Sequence, residues 1–258
     1  MNYNYHTHTY RCHHAKGEIK EYINRAIACG ITHMGFSDHA PYICSSGFES
    51  PFRVPVAEVG EYFLEISDLR EKYKEQIDIK IGFEMEFYHK HFDKMMNDVT
   101  AYGAEYLILG PHFIEEEQPD SVHIIHNKTD SVEFLRKYTN CIVDGMKTGV
   151  FTYVAHPDVI NFIGDVAVFQ KEIRKICTSS RELNIPLEIN FLGIRGNRNY
   201  PNEEFWKIAG EEKAPVTFGL DSHNVIDAYD ELSLFRAMEI VKKYKLQYIG
   251  KPDLIMLQ

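Results

Sequence analysis

Two pairs of residues with metal-binding side chains occur at the ends of predicted β-strands, each pair with a spacing of two. His6 and His8 end the first predicted strand, and Asp221 and His223 follow the last one. Side chains two positions apart on a strand point to the same side, so each pair can direct both ligand atoms at one point. Imidazole nitrogens and carboxylate oxygens suit zinc and similar divalent ions. The two pairs therefore predict metal binding, although either pair alone is a weak signal.

Four further predicted strands also end in a residue that can bind a metal. In chain order these residues are Asp38 with His39, Glu84, His112 and His156. A single histidine at a strand end is usually a hydrogen-bonded structural residue, but six such strand ends in one chain are hard to explain by packing. In a (β/α) barrel all the carboxyl ends of the strands meet at one face. A ring of ligands around the mouth of a barrel explains all six.

Short β-type runs alternate with longer helical patterns along the chain. Strands are predicted at 3–8, 31–38, 77–85, 104–110, 151–155, 186–191 and 215–220. Helices are predicted at 17–29, 58–75, 90–101, 130–147, 167–183, 202–210 and 228–243. This alternation is typical of parallel strands joined by right-handed crossovers. We see no linker or low-complexity tract, so the sequence predicts an α/β fold with a single domain over residues 1–258.

The composition of the chain argues against some classes of binding partner. The formal net charge is −10, whereas proteins that bind duplex nucleic acid usually present a basic face, so we expect no nucleic-acid partner. We see no signal peptide and no apolar run of the roughly 18 residues that cross a membrane, so no membrane association is expected. The five cysteines are scattered without a CxxC motif. This pattern favours reduced thiols and a cytoplasmic location.

The ordered set of motifs resembles the polymerase-and-histidinol-phosphatase (PHP) superfamily and, within it, the histidinol-phosphate phosphatase family. The matching motifs are His6-x-His8 with Thr9, Cys12 and His14; Ser37-Asp38-His39-Ala40-Pro41; Gly82-x-Glu84; His112; Ala155-His156-Pro157; and Gly219-x-Asp221-x-His223. Each motif alone is weak, but the ordered set is highly specific. The resemblance implies a distorted seven-stranded (β/α) barrel of PHP type, which is TIM-barrel-like, and three divalent metal ions per chain.

The resemblance also implies how the ligands divide among the three ions. The sets are His6, His8, Glu84 and Asp221; Glu84 again with His112 and His156; and His14, His39 and His223. Glu84 is the expected bridge, because a carboxylate has two oxygens and an imidazole cannot practically bridge. Glu86 is predicted as a neighbour of the ligands, and His13 remains an alternative to His14. Zinc, manganese and iron all fit such a mixed set of nitrogen and oxygen ligands.

For the reaction, we expect a hydroxide that bridges the Glu84-linked ions to attack phosphorus. Arg195, which follows the sixth strand, is the expected phosphate ligand because its planar guanidinium can contact two oxygens, and Arg198 and Arg53 are alternatives. The general acid for the leaving alkoxide is left open among three residues, Asp38, Asp158 and His223. An acidic group of the loop 113–129, namely Glu115, Glu116, Glu117 or Asp120, is a candidate for binding a substrate ammonium.

The leading hypothesis is a phosphomonoesterase that converts L-histidinol phosphate and water to L-histidinol and phosphate, in histidine biosynthesis. Its partner would be a small phosphorylated substrate. One alternative is a PHP-family phosphoesterase for another ester, such as a nucleotide, a phosphotyrosine protein or a DNA 3′ end. A second alternative is a non-catalytic, metal-stabilised scaffold, although such a remnant should have lost ligands and every ligand position is filled. The sequence carries no sign of the oligomeric state.

Overall fold

The computed structural model describes residues 1–117 and 127–257. In these residues eight strands form one sheet in which each strand pairs in parallel with the next along the chain. The strands are β1 Tyr3–Asn4, β2 His33–His39, β3 Asp78–Met85, β4 Tyr106–Leu109, β5 Phe151–Val154, β6 Leu187–Asn190, β7 Pro215–Gly219 and β8 Gln247–Tyr248. The fold is thus α/β with a curved, all-parallel, TIM-barrel-like sheet, as expected. The predicted number of seven strands was wrong, because β8 has only two residues and gives no clear sequence pattern.

Backbone hydrogen bonds close the sheet at the carboxyl ends of the strands. Thr7, beyond β1, pairs in parallel with Ser222, beyond β7. The N–H of His8 donates to the carbonyl of Ser222 at 3.0 Å, and the N–H of Ser222 donates to the carbonyl of His6 at 3.3 Å. β8 instead pairs with the beginning of β7, at the opposite end. The first and last pairs of predicted ligands are therefore brought side by side at the mouth of the barrel.

Eight helices follow the strands in the described part of the chain. They are α1 Ile19–Ala28, α2 Val59–Tyr73, α3 Phe92–Tyr102, α4 Val132–Lys147, α5 Val166–Leu183, α6 Phe191–Arg195, α7 Glu203–Glu212 and α8 Glu231–Tyr244. Seven of them agree with the predicted helices within a few residues at each end. The additional helix, α6, begins directly after β6, and Asn190 caps it by accepting a hydrogen bond from the N–H of Gly193. No helix of the described residues is both long and apolar enough to span a membrane.

A small apolar cluster lies on the inner face of the sheet, separate from the larger core. Its members are Tyr3, Tyr5, Tyr106, Ile108, Tyr153 and Ala155. A Cβ atom at Gly82 would lie 2.6 Å from the ring of Tyr106, so the ring packs directly on this glycine. Gly82 and Glu84 are two residues apart on β3 and therefore face the same side. The tyrosines thus fill the space beneath the metal-binding residues.

Candidate metal centre

The nine predicted metal ligands come together at the mouth of the barrel, around a cavity of about 690 Å³. Eight of them line this cavity: His8, His14, His39, Glu84, His112, His156, Asp221 and His223. The ninth, His6, is fully buried just behind them, with its Nε2 atom 3.4 Å from Glu84 Oε2. His14, rather than His13, faces the cavity. His13 does not line the cavity, and its Nδ1 atom lies 2.9 Å from the carbonyl oxygen of Pro51.

Glu84 is at the centre of the site, since each of its carboxylate oxygens faces histidines from different strands. Oε2 lies near His6 Nε2 at 3.4 Å, His8 Nε2 at 3.5 Å and His39 Nδ1 at 3.3 Å. Oε1 lies near His156 Nε2 at 2.9 Å and His112 Nε2 at 3.3 Å. The two oxygens therefore face two separate groups of histidine nitrogens. This arrangement is the one that a carboxylate bridging two cations requires.

Asp221 is a second carboxylate that faces the same Nε2 atoms of His6 and His8 as Glu84 does. Its Oδ1 atom lies 3.3 Å from Nε2 of His8, 3.6 Å from Nε2 of His6 and 3.2 Å from Nδ1 of His223. Asp221 has a φ of +46° and His156 a φ of +27°, both positive although neither residue is glycine. Strained backbone of this kind is concentrated at functional sites, where the surrounding structure enforces it.

Three of the histidines have a carboxylate on the side of the ring that faces away from Glu84. The Nδ1 atoms of His6, His8 and His112 lie 2.8, 3.3 and 3.0 Å from carboxylate oxygens of Glu188, Asp38 and Glu86 respectively. Such a carboxylate fixes the orientation and tautomer of an imidazole and leaves Nε2 free to bind a metal. The position of Glu86 agrees with its prediction as a neighbour of the ligands. Glu188 was missed, although a charged residue within the otherwise apolar run Leu187–Ile189 was a usable signal.

The charges of the site favour a bound cation. Burial by itself would raise the pKa of Glu84, but His112 and His6 outweigh it and hold this pKa well below its usual value. Burial would lower the pKa of His6, but the carboxylates of Glu188, Asp221 and Glu84 raise it to about 10. Burial, together with the neighbouring His223 and His8, lowers the pKa of His14 to about 4. The carboxylates around His6 thus attract positive charge, which a bound metal ion would supply in place of the proton.

Several buried polar atoms of the site have no hydrogen-bond partner, which is the main test of whether metal ions fit. They are Nε2 of His6, Nε2 of His8, Nδ1 of His39 and both carboxylate oxygens of Glu84. Buried polar atoms are rarely left unpaired, because each loses its contact with water. Three groups with ligand atoms within 4.8 Å of one another are His6, His8 and Asp221; His6, Glu84 and His156; and His8, His39 and His223. These residues can therefore hold metal ions.

The three candidate general acids occupy different positions. His223 lines the cavity. Asp38 is buried behind His8 and accepts hydrogen bonds from the N–H and the hydroxyl of Thr9, at 2.9 and 2.5 Å. Burial raises the pKa of Asp158 to about 7, but its Oδ2 atom accepts from the indole N–H of Trp206 at 2.8 Å. Neither carboxylate lines the cavity, so the geometry does not favour Asp38 or Asp158 as a proton donor to substrate.

The predicted phosphate contact of Arg53 does not fit the structure. Its guanidinium is fully buried and contacts Glu86 at 2.7 Å and Glu117 at 2.7 Å. It also donates to the carbonyl of Ala40 at 3.1 Å and to the hydroxyl of Tyr88 at 3.2 Å. All of these partners belong to the protein. Arg53 therefore connects the segments after β2 and β4 and is not free to bind a substrate.

The guanidinium of Arg195 is also engaged by the protein. It donates to the carbonyl oxygens of Leu220 at 2.7 Å and Asp221 at 2.5 Å, and it lies 3.3 Å from a carboxylate oxygen of Asp227. These contacts hold the end of β7, which carries Asp221. Arg198, the alternative, lines the cavity. Arg198, but not Arg195, is therefore placed in the lining of the cavity.

The acidic residues suggested for ammonium binding are largely engaged elsewhere. Glu116 accepts hydrogen bonds from the N–H of Ser45 at 2.9 Å and from its hydroxyl at 2.5 Å, and Glu117 pairs with Arg53. Glu115 does not line the cavity. Asp120 lies outside the described residues.

Part of the cavity lining is apolar, and the sequence alone did not identify it. It contains Pro51, Phe52, Val159, Leu192 and Tyr200. The ring centroid of Phe52 lies 3.8 Å from that of His39 and 5.1 Å from that of His14, so this ring covers two predicted ligands. Phe52 comes from the irregular segment 40–57, whose position after β2 was the only available signal. The cavity can therefore accept a ligand with an anionic end and an apolar or aromatic end.

Comparison with known proteins gives matches along most of the chain. The model of the PHP domain family matches residues 4–191. A probable histidinol-phosphatase of Deinococcus radiodurans is 24% identical over 226 residues, which cover 84% of this chain and 85% of the relative. The histidinol-phosphatase of Bacillus subtilis is 24% identical over 261 residues, which cover 86% and 93%. A solved histidinol phosphate phosphatase from Lactococcus lactis, complexed with zinc, L-histidinol and phosphate, superimposes with a TM-score of 0.73 at 19% identity, covering 100% of this chain and 99% of that chain.

Proposed function

The chain belongs to the PHP domain family, and we propose that it hydrolyses L-histidinol phosphate to L-histidinol and phosphate. The observation that carries the proposal is the position of Glu84, a buried carboxylate whose two oxygens face five histidines at the barrel mouth. The apolar part of the cavity lining suits the remainder of a small organic phosphate. The relatives that match more than four fifths of the chain carry the name of this activity.

The proposed centre holds three divalent ions, which we assign to zinc, manganese or iron. The ligand sets are His6, His8, Glu84 and Asp221; Glu84, His112 and His156; and His14, His39 and His223. When bound, such ions neutralise phosphate charge and lower the pKa of a coordinated water. His8 also lies close to the third set, since its ring centroid is 4.1 Å from that of His223. The first and third ligand sets are therefore adjacent.

The protein's own side chains orient the substrate in this proposal. Arg198, which lines the cavity, would contact the phosphate oxygens. The histidinol end lies along Phe52 and Leu192, where apolar contact excludes water. Hydrolysis consumes one water, whose oxygen joins phosphorus while the bond from phosphorus to the alcohol oxygen breaks and that oxygen gains a proton. We assign His223 to metal binding rather than to this proton transfer, because it forms a candidate ligand group with His8 and His39 and its Nδ1 atom lies 3.2 Å from Oδ1 of Asp221.

The test compares kcat/KM for histidinol phosphate, p-nitrophenyl phosphate and nucleoside monophosphates, using protein loaded separately with zinc, manganese or iron(II). We expect histidinol phosphate to be preferred by at least tenfold, and chelation to abolish turnover of every ester. A preference for a nucleotide would keep the phosphatase but change its substrate. No phosphate release from any ester with any of the three metals would refute the proposed function and support a metal-stabilised scaffold.

A further inference from the structure

Glu188 is a buried carboxylate that lies behind the cavity and joins several of the strand ends that carry ligands. It belongs to β6 and is fully buried. Its Oε1 atom lies 2.8 Å from Nδ1 of His6. Its Oε2 atom accepts hydrogen bonds from the N–H of His156 at 3.0 Å and from the side-chain amide of Asn190 at 2.8 Å. The same amide donates to Oδ2 of Asp221 at 3.0 Å, so the network reaches the ends of β1, β5, β6 and β7.

We propose that Glu188 is a positioning residue of the metal centre, which holds His6 in its metal-binding tautomer and His156 in its metal-binding position. This inference rests on the proposed metal-dependent function. Glu188 itself is not proposed as a ligand, because both of its oxygens are already used by the protein. It acts through two histidines that belong to different proposed metal sites.

The contact with His6 selects the nitrogen that binds metal. A carboxylate oxygen can only accept a hydrogen bond, so the Nδ1 atom of His6 must carry the hydrogen. In a neutral imidazole Nε2 then has the free lone pair, which is what a metal ligand requires. Nε2 of His6 is the atom that faces Glu84 and Asp221, at 3.4 and 3.6 Å, without a hydrogen-bond partner.

The contact with His156 holds a strained segment of backbone. His156 has a φ of +27°, which a residue with a side chain rarely adopts. Its N–H donates to Glu188, and its Nε2 atom lies 2.9 Å from Oε1 of Glu84. Without the carboxylate, the N–H would be a buried donor with no partner, and relaxation of the backbone would move the ring away from Glu84.

Gly219 gives an independent indication that the carboxylate needs this position. A Cβ atom at residue 219 would lie 1.6 Å from Oε1 of Glu188 and 2.5 Å from its Cδ atom. Gly219 is not among the residues with positive φ, so its backbone conformation does not demand glycine. The space above Gly219 is instead occupied by the carboxylate. The glycine of the Gly219-x-Asp221 motif is thus explained by Glu188.

Glu188→Gln should reverse the tautomer of His6. The amide oxygen must face the two donors, the N–H of His156 and the side-chain amide of Asn190, so the amide NH₂ must face His6. Nδ1 then has to accept, and the hydrogen moves to Nε2, where it blocks the metal. We expect zinc titration of the metal-free variant to show one site with a 10- to 100-fold lower affinity. Losses of this size are typical when the hydrogen-bond partner of a metal-binding histidine is replaced. Gly219→Ala, which displaces the carboxylate without changing its charge, should weaken zinc binding in the same direction.

The matched control is Glu172→Gln, because Glu172 is also a buried carboxylate but lies on α5 and pairs with Lys175 and Arg136. It should leave the zinc isotherm unchanged. A second measurement needs no variant: nitrogen-15 NMR of histidine-labelled, zinc-loaded protein should show the hydrogen of His6 on Nδ1. A hydrogen on Nε2, or a Glu188→Gln isotherm identical to that of the wild type, would refute the positioning role. Both readouts are independent of turnover, so a wild-type protein that binds zinc as expected but releases no phosphate would refute only the proposed function.

Discussion

Replacing Glu84 by glutamine is the most direct test of the centre, because it changes one oxygen and one charge with almost no change of volume. Glu84 is about 1% exposed and has five histidine nitrogens within 3.5 Å. The amide keeps one acceptor oxygen for one group of histidines and turns an NH₂ group toward the other. One proposed metal site thus loses its anionic ligand, and the other keeps a neutral oxygen.

The size of the effect follows from the contacts that are lost. Interactions with charged groups contribute about 1.5–3 kcal/mol each, and two proposed ions are affected, so the loss is about 3–6 kcal/mol. At about 1.4 kcal/mol for each factor of ten, kcat should fall roughly 10²- to 10⁴-fold. The loss should persist at saturating metal, because the bridge itself is changed and not only the occupancy of the site.

The assay is steady-state phosphate release from histidinol phosphate at saturating zinc, with the metal content measured on the same samples. Circular dichroism and the midpoint of thermal unfolding check that the variant is folded. Glu172→Gln is again the control for loss of a buried carboxylate and should retain wild-type kcat. If Glu84→Gln keeps more than about a tenth of wild-type kcat, a loss of only ~1.4 kcal/mol, then Glu84 does not bridge.

Four further predictions concern other parts of the site. Metal analysis should approach three ions per chain, and His14→Ala should remove mainly one; two or fewer ions in metal-replete wild type would contradict the third site. Arg198→Met should lower kcat/KM for all phosphate monoesters by a similar factor of about 10–100, since a charged contact contributes about 1.5–3 kcal/mol. A loss confined to histidinol phosphate would mean that Arg198 contacts the alcohol part of the substrate instead. Arg53→Met leaves two buried carboxylates without their cation and should lower the free energy of unfolding in urea by about 3–5 kcal/mol, while an unchanged value would show that the pairs contribute little. Burial raises the pKa of Asp158 from 3.8 to about 7, so the folded protein holds a proton that the unfolded chain releases. In metal-free protein, the free energy of unfolding relative to Asp158→Asn should therefore fall as the pH rises from about 4 to about 7. Parallel stability curves for the two proteins would contradict this.

The sequence alone determined the barrel and the identity of its ligands to a large extent. Parallel strands joined by helices place all their carboxyl ends at one face, so ligands at six strand ends had to converge. The spacing of residues predicted ligand pairs within one strand end. His6 and His8 share one strand end, and Asp221 and His223 share another. The boundaries of most elements agreed within a few residues, because hydrophobic periodicity and capping residues act over one or two turns of chain.

Tertiary structure decided which long side chains face the cavity and which are used to hold the fold together. Arg53 and Arg195 follow strands as Arg198 does, yet both are engaged by carboxylates and carbonyls of the protein, and only the packing of the loops shows this. Glu188 contacts His6 across 182 positions of sequence, and Phe52 and Leu192 line the same cavity. Such pairings depend on where distant segments meet after the sheet curves. The residue pattern of one segment does not show which residue of a distant segment a flexible side chain will contact.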